Sequence, residues 1–377
     1  MVNGLWLNGR VPILHQECSK RRSRAGDFLA VLILLAIILG GGWLWWHEKH
    51  PKKLEKHKFA AVNSVAVATS VLPVEKPKPK PLVVVTETTN AFPRPVRDVF
   101  EAQVALARRA ISSGSIDGAI GSQTRAAIAA FQRSQKLFES GALDTNTRPQ
   151  LTLDAPLLTD YAVTTNDLAR LQPLGKTWLA KSQQTALDYE TILELVAEKA
   201  HAHPLLIQRL NSEVNWTNVA AGTSLKIPDA HYPEPDGKAA FVVIHLAERF
   251  LEAFDAETNL LAHFPCSIGA RFDKRPVGEL KVKAIAPNPN YTFDPAVFPE
   301  SPEAQAIGHK LILPPGPNNP VGGAWIGLDK PGYGMHGTPV PEQVGRTESH
   351  GCFRLANWDA EYLVKLVWVG MPVEVVP

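Results

Sequence analysis

Met335-His336-Gly337-Thr338, followed by Ser349-His350-Gly351-Cys352-Phe353-Arg354-Leu355, is the stretch that decides how the last third of the chain must fold. Two histidines and one cysteine stand among glycines at turn positions. A thiol nucleophile needs a neighbouring base to take its proton, and glycine lets a substrate backbone approach closely. The stretch therefore predicts a catalytic cysteine, and the fold around it has to bring a histidine to that cysteine.

Length and composition indicate a folded protein of two or three domains. The chain has 377 residues, of which 45% are hydrophobic, enough for packed cores. A formal net charge of +2 is close to neutral for this length, so nucleic acid is not an expected partner. The cysteines are Cys18, Cys266 and Cys352. Cys18 and Cys352 are expected on opposite sides of a membrane, which argues against a disulfide framework, and Cys266 is expected to be a small packed hydrophobe.

A membrane span is predicted at residues 28–46. This stretch carries no charge and would be roughly 28 Å long as a helix, close to the thickness of the hydrocarbon layer. A cleaved signal peptide and a buried core helix are the alternatives, but no small-residue cleavage site follows and three tryptophans stand at the far end. We expect residues 1–27 to be cytoplasmic and the longer body to lie outside the inner (cytoplasmic) membrane, in the periplasm or its equivalent.

Residues 47–96 are expected to form a tether. They are rich in Lys, Pro, Val and Thr and include Glu75-Lys-Pro-Lys-Pro-Lys-Pro81, which favours extended polyproline II and cannot form a core. The alternation of Lys and Pro is also compatible with a ligand for a proline-binding domain.

Residues 97–152 are predicted to form a small helical domain. Val99, Ala102, Leu106 and Ala110 make one apolar helix stripe, and Ala127, Ala130 and Phe131 make another, opened by Ser122 and Thr124. Between them, Asp117-Gly118-Ala-Ile-Gly121-Ser-Gln-Thr124 predicts a tight turn, and Gly141-Ala-Leu-Asp144-Thr-Asn-Thr147 repeats it in shortened form. This combination resembles the small peptidoglycan-binding domain of cell-wall enzymes.

Residues 160–229 look like a LysM module, the glycan-binding unit ordered strand, helix, helix, strand. Helices are predicted over residues 189–200 and after Pro204, and strands at residues 161–163 and 225–228. About twenty-five residues stand between the first strand and the first helix, a departure from the LysM pattern.

Residues 238–377 are predicted to be mainly β. Apolar or alternating runs at residues 239–247, 249–255 and 260–268 indicate strands, and proline- and glycine-rich loops punctuate the rest. One helix is predicted from residues 358 to 367, with Asn357 as its N-cap, and the chain ends on a strand at residues 373–376.

Taken with Pro276-Val-Gly278-Glu279 and Ala324-Trp325-Ile326-Gly327-Leu328, the opening stretch resembles the L,D-transpeptidase (YkuD-type) catalytic domain. The resemblance covers the last third of the chain and implies a β-sandwich-like fold. The whole chain is then multidomain: a mainly β catalytic domain preceded by an α-helical peptidoglycan-binding domain, an α+β LysM-like module and one N-terminal transmembrane helix.

The resemblance implies that Cys352 is the nucleophile and that His336 is its base, and a neighbouring imidazole is what a thiol needs near neutral pH. His350, two residues before the nucleophile, would help orient the thiolate or polarise the carbonyl. Gly351 and the N–H groups around Cys352 are the candidates for an oxyanion hole. The remaining motif residues are expected to bind substrate or support the site, Arg354 by buttressing the loop: Gly337, Thr338, Ser349 and Arg354.

A metal site is not expected, because the chain has neither a CxxC nor an HExxH spacing, and no cofactor is expected either. The partners implied are the peptidoglycan stem tetrapeptide as donor, an amine acceptor, and the membrane. The predicted reaction is acyl transfer through a Cys352 thioester with release of D-alanine. Two alternatives are an L,D-carboxypeptidase, in which water resolves the thioester, and a wall-binding scaffold without activity.

Overall fold

The computed structural model describes residues 91–349 and 351–377, all within one compact unit, Val84–Pro377. The predicted cytoplasmic segment, the membrane span at 28–46 and nearly all of the tether lie outside the described residues and stay predictions. Within the described ranges, none of the helices has the length and apolar character needed to cross a bilayer.

The helical unit, residues 94–153, follows the predicted apolar stripes. Ala102, Leu106 and Phe131 are buried in one cluster, and the Asp98 side chain caps the first helix by accepting from the Glu101 N–H. Ser122 is the first residue of its helix, and Gly121 is the N-cap. The elements are β1 (Arg94–Pro95), α1 (Val99–Ala107), α2 (Ser122–Ser134), α3 (Thr147–Gln150) and β2 (Thr152–Leu153), and β1 pairs with β2.

Two buried glutamines hold the two repeated turns of this unit. Gln103 accepts from the Gly118 N–H at 2.8 Å and donates to Thr124 Oγ1 at 3.1 Å. Gln132 has the same pair of contacts in the second turn, with the Gly141 N–H at 2.8 Å and Thr147 Oγ1 at 2.7 Å. The repeated sequence therefore encodes a repeated hydrogen-bonding arrangement, because the backbone groups of a buried turn must find partners.

The upstream module, residues 158–228, begins and ends on a strand, but four helices lie between the strands where two were predicted. Its elements are β3 (Leu158–Ala162), α4 (Thr165–Ala169), α5 (Trp178–Ser182), α6 (Ile192–Lys199), α7 (Pro204–Leu210) and β4 (Ser224–Pro228). The two strands pair antiparallel, with Tyr161 opposite Leu225. The two short helices α4 and α5 occupy the twenty-five residues that depart from the LysM pattern. This module and the helical unit share one hydrophobic cluster. Identity as a LysM module stays a prediction.

The C-terminal domain is mainly β, as predicted. Its elements are β5 (Phe241–His245), β6 (Phe250–Phe254), β7 (Leu260–Pro265), β8 (Gly278–Pro287), β9 (Tyr291–Phe293), α8 (Pro302–Ile307), β10 (Leu311–Leu313), β11 (Ala324–Leu328), β12 (Gly334–His336), β13 (Phe353–Arg354), α9 (Asn357–Leu366) and β14 (Pro372–Val376). Eight strands form one mixed sheet in the order β13-β12-β11-β8-β14-β5-β6-β7, and β9 pairs with β10 apart from it.

The two edges of the eight-stranded sheet are linked to each other. Just after β7, the Ser267 N–H donates to the Arg354 carbonyl at 2.8 Å, and the Arg354 N–H donates back to the Ser267 carbonyl at 2.9 Å. Buried and less buried residues alternate along β5 and β14, and Val242, Ile244 and Val373 point into the hydrophobic core that the sheet encloses. The eight strands thus form one continuous sheet whose edges meet beside Cys352, and the β-sandwich-like packing stays a prediction.

Helix α9 begins one residue earlier than predicted. Ala356 is its N-cap, and Asn357, which the sequence indicated as the cap, is the first helical residue. The prediction was wrong because Asn is favoured at N-caps as a short hydrogen-bonding side chain, and here that side chain bonds to other segments of the domain instead.

Candidate active site

Strand pairing brings the predicted nucleophile and base together. Strands β12 and β13 are parallel, with Met335 opposite Phe353 and His336 opposite Arg354. Cys352 immediately precedes β13, the strand that lies directly beside the strand of His336. Both side chains line one cavity. The sequence-based expectation that the two motifs converge therefore agrees with this geometry.

The Cys352 thiol is partly buried. It donates to the Gly332 carbonyl at 3.4 Å. Burial raises the pKa of the Cys352 thiol, while a backbone hydrogen bond from Gly334 and the charge of Arg354 oppose that rise. Because burial disfavours the thiolate, a base that takes the thiol proton would assist attack.

His336 has the form that such a base needs. Its ring is 6% exposed, and burial lowers the pKa of His336 to about 4, so the imidazole is neutral near pH 7. Nδ1 lies 2.7 Å from the Gly337 carbonyl oxygen, which can only accept. Nδ1 therefore carries the proton, and the lone pair is on Nε2. The Trp325 ring stacks on the imidazole, with centroids 5.6 Å apart, and restrains its orientation.

The turn before the nucleophile is fixed by Ser349. Its hydroxyl accepts from the Gly351 N–H at 3.2 Å and donates to the Cys352 carbonyl at 2.6 Å. Gly351 has φ +150°, a conformation that a residue with a Cβ rarely adopts. Since the Gly351 N–H is already engaged, its part in an oxyanion hole stays a prediction that needs Ser349 to release it. His350 lies outside the described residues, so its orienting role also stays a prediction.

The loop after the base is held by Asn357. Asn357 Oδ1 accepts from the Thr338 N–H at 2.9 Å and from the Gly323 N–H at 3.2 Å. A Cβ at Gly337 would come within 2.2 Å of that oxygen, which explains why the His-Gly-Thr motif has glycine at its centre. The predicted supporting residues Gly337 and Thr338 therefore act by letting Asn357 bind the main chain next to the base.

Asn357 also connects this loop to the upstream module. Its amide donates to the two Glu198 carboxyl oxygens at 3.1 and 3.0 Å, and the Tyr189 hydroxyl donates to the same carboxyl at 3.1 Å. Burial raises the pKa of Glu198 to about 8, so the group is largely protonated at neutral pH. A residue of α6 thus positions the residue that fixes the catalytic loop.

Arg354 differs in part from its predicted role. Its backbone joins the sheet edges, but its half-buried guanidinium lines the cavity. Burial lowers the pKa of Arg354, and the neighbouring Cys352 opposes that change. The cation therefore favours negative charge on the sulfur or on a bound substrate.

The cavity has a volume of about 460 Å³. Apart from the motif residues, its lining is largely aromatic or apolar: Trp178, Tyr291, Val297, Phe298, Pro320, Val321 and Trp325. Sequence reasoning did not identify Trp178 or Tyr291 as site residues. The one signal for Trp178 was its position in the segment that departs from the LysM pattern.

Cys266 and His309 do not line the cavity. Cys266 is fully buried in the sheet core, and burial raises the pKa of that thiol to about 12, as expected for a packed hydrophobe. His309 is exposed after α8. Over residues 91–349 and 351–377, no group of three or more His, Cys, Asp or Glu side chains could hold a metal ion.

Comparison with known proteins gives two matching families. The family described as the L,D-transpeptidase catalytic domain (YkuD) matches residues 239–375, and a peptidoglycan binding domain family matches residues 96–151. A Bacillus licheniformis protein named as an L,D-transpeptidase YkuD is 27% identical over 188 residues, covering 50% of this chain and 94% of that protein.

A second relative is the Escherichia coli K12 protein named as an L,D-transpeptidase YbiS. It is 33% identical over 158 residues, covering 41% of this chain and 49% of that protein. The chain therefore spans about half the length of this relative. The crystal structure of L,D-transpeptidase 3 from Mycobacterium tuberculosis aligns with 42% of this chain and 77% of its own, at 18% identity and a TM-score of 0.29.

Proposed function

We propose that this protein transfers acyl groups between peptidoglycan stem peptides through a thioester on Cys352, because residues 239–375 match the L,D-transpeptidase catalytic domain family. The observation that carries the proposal is that the Cys352 thiol and the His336 imidazole line one cavity, with Nδ1 of the imidazole bonded to the Gly337 carbonyl and Nε2 left with the lone pair. The match of residues 96–151 to a peptidoglycan binding domain supports the same substrate.

The first half-reaction forms the thioester. His336 Nε2 takes the thiol proton as Sγ attacks the carbonyl carbon of the third stem residue. The bond from that carbon to the D-alanine nitrogen then breaks, and the imidazolium returns its proton to the leaving amine. Arg354 lies where negative charge develops, so its cation stabilises the attacking sulfur and the intermediate.

The second half-reaction transfers the acyl group. The amine of another stem attacks the thioester carbonyl and gives a proton to His336 Nε2, and the thiolate leaves and recovers a proton from the imidazolium. The product is a cross-link between two third residues. Water in place of the amine would give a tripeptide, the carboxypeptidase outcome.

The cellular setting is part of the proposal. The uncharged stretch at residues 28–46 would anchor the protein in the cytoplasmic membrane, and the Lys- and Pro-rich residues 47–96 would hold the catalytic body outside it. Protease digestion of intact spheroplasts tests this arrangement, and a catalytic body that stays protected would contradict it.

The activity is tested by incubating the full chain in detergent with disaccharide tetrapeptide and identifying the products by mass spectrometry. We expect a cross-linked dimer, and we expect none from Cys352→Ala. Cys266→Ala is the matched control, because this buried thiol lies outside the cavity, and it should retain the activity. Tripeptide alone would assign a carboxypeptidase, and unchanged substrate with intact Cys352 would refute both activities.

A further inference from the structure

The segment between α4 and α6 belongs to the upstream module in sequence but packs on the catalytic domain. The Leu187 N–H donates to the Pro315 carbonyl, and the Asn318 N–H donates to the Leu187 carbonyl, both at 2.9 Å. A Cβ at Gly316 would lie 2.2 Å from the Leu187 oxygen, so the backbones of these two segments approach each other as closely as glycine permits. These contacts fix the segment on the rim of the catalytic cavity.

A separate hydrophobic cluster forms beneath this segment. Leu187 is fully buried there with Phe293 and Leu313, which belong to the paired strands β9 and β10. Trp178 packs against the same cluster, with its ring stacked on Phe293 at a centroid distance of 4.5 Å. The cluster holds one module against the other over the edge of the active site.

Trp178 is the residue that this arrangement presents to the cavity. It is the first residue of α5, and its backbone N–H donates to Glu303 Oε1 at 2.6 Å. Its half-buried ring also lies 5.7 Å from Phe298, which lines the cavity beside it. The cavity holds Cys352 as well, so a substrate bound for attack by that thiol meets the indole as an apolar wall.

We propose that Trp178 is a specificity-determining residue for the donor peptide, and that it packs against the aliphatic side chain of the stem residue whose carbonyl Cys352 attacks. This inference rests on the proposed function. An indole face suits methylene groups, and a wall built of Trp178, Tyr291 and Phe298 favours a long side chain over a methyl group. The upstream module thereby supplies part of the donor site of the catalytic domain.

Binding can be measured without turnover in the full chain carrying Cys352→Ala. Calorimetric titration would use two tetrapeptides, one with lysine and one with alanine at the third position. We expect the lysine peptide to bind more tightly. Adding Trp178→Ala should weaken lysine-peptide binding about tenfold and leave the alanine peptide nearly unchanged, because a few methylene contacts in an apolar pocket contribute on that order. Leu179→Ala, at an exposed neighbouring position of α5, is the matched control.

Three outcomes distinguish a specificity role for Trp178 from a packing role and from failure of the proposed donor. Equal dissociation constants for the lysine peptide with and without Trp178→Ala would overturn the inference while leaving the proposed function intact. Equal weakening of both peptides, accompanied by a lower melting temperature, would make Trp178 a packing residue only, and Trp178→Phe then checks whether an aromatic ring restores both properties. Failure of the Cys352→Ala protein with native Trp178 to bind either peptide would refute the proposed donor itself.

Discussion

Replacing Asn357 tests whether the catalytic loop is held from α9. In Asn357→Ala the buried Thr338 N–H and the partly exposed Gly323 N–H lose their acceptor. A buried group left without a partner costs about 1–3 kcal/mol, so the two together predict a loss of about 2–4 kcal/mol in the free energy of unfolding. The His336 loop should also lose its fixed position, and acylation of Cys352 should slow.

A second substitution at this position separates its two roles. Asn357→Asp keeps an acceptor for the two N–H groups but replaces the donor that faces Glu198 with a second carboxyl. While Glu198, whose pKa burial raises to about 8, keeps its proton, that proton shared by the two carboxyls preserves the contact. As the pH rises and both ionise, like charges oppose each other, so stability and acylation rate should fall.

Urea unfolding and whole-protein mass spectrometry of the thioester measure these effects from pH 5 to 8.5. Asn146→Ala, at an exposed helix start without a side-chain cap bond, is the control and should stay within about 0.5 kcal/mol of the parent. A loss below about 1 kcal/mol in Asn357→Ala would refute the reasoning. So would an Asn357→Asp protein that behaves like the alanine variant at every pH.

Two further predictions concern pH. Because the pKa of His336 is lowered to about 4, the acylation rate should fall on the acid side only below pH 6.5. The stability that this group contributes should be present above pH 6.5 and lost as the pH falls towards 4. An acylation rate that already falls at pH 6.5 or above would contradict the buried, neutral imidazole. Burial raises the pKa of Asp359 to about 7 despite hydrogen bonds from Tyr232 and Ser112, so its contribution to stability should be lost as the pH rises from about 4 through 7. Asp359→Asn should remove that decline in a series of urea titrations, and parallel profiles for the two proteins would exclude the assignment.

The sequence predicted what local patterns determine. The strands around the first hairpins and the helix stripes of the helical unit follow from periodicity. The convergence of the two motifs was implied by the resemblance to the L,D-transpeptidase catalytic domain. Asn357 shows where such reasoning stops, because an Asn before a helix indicates a cap and nothing local reveals a partner elsewhere in the domain. Trp178 and Glu198 were missed for the same reason, since their roles depend on how an upstream module packs on the sheet.

Hydrogen bonds and an ion pair fix the orientation of the helical unit relative to the sheet. The Ser112 N–H donates to the His263 carbonyl at 2.8 Å, the His263 N–H donates to the Ala110 carbonyl at 3.0 Å, and Arg133 pairs with the buried Glu252. A swivel between the two parts would have to break these bonds. The helical unit is therefore held at one fixed separation from Cys352, and a ligand bound to that unit would keep a constant distance from the cavity.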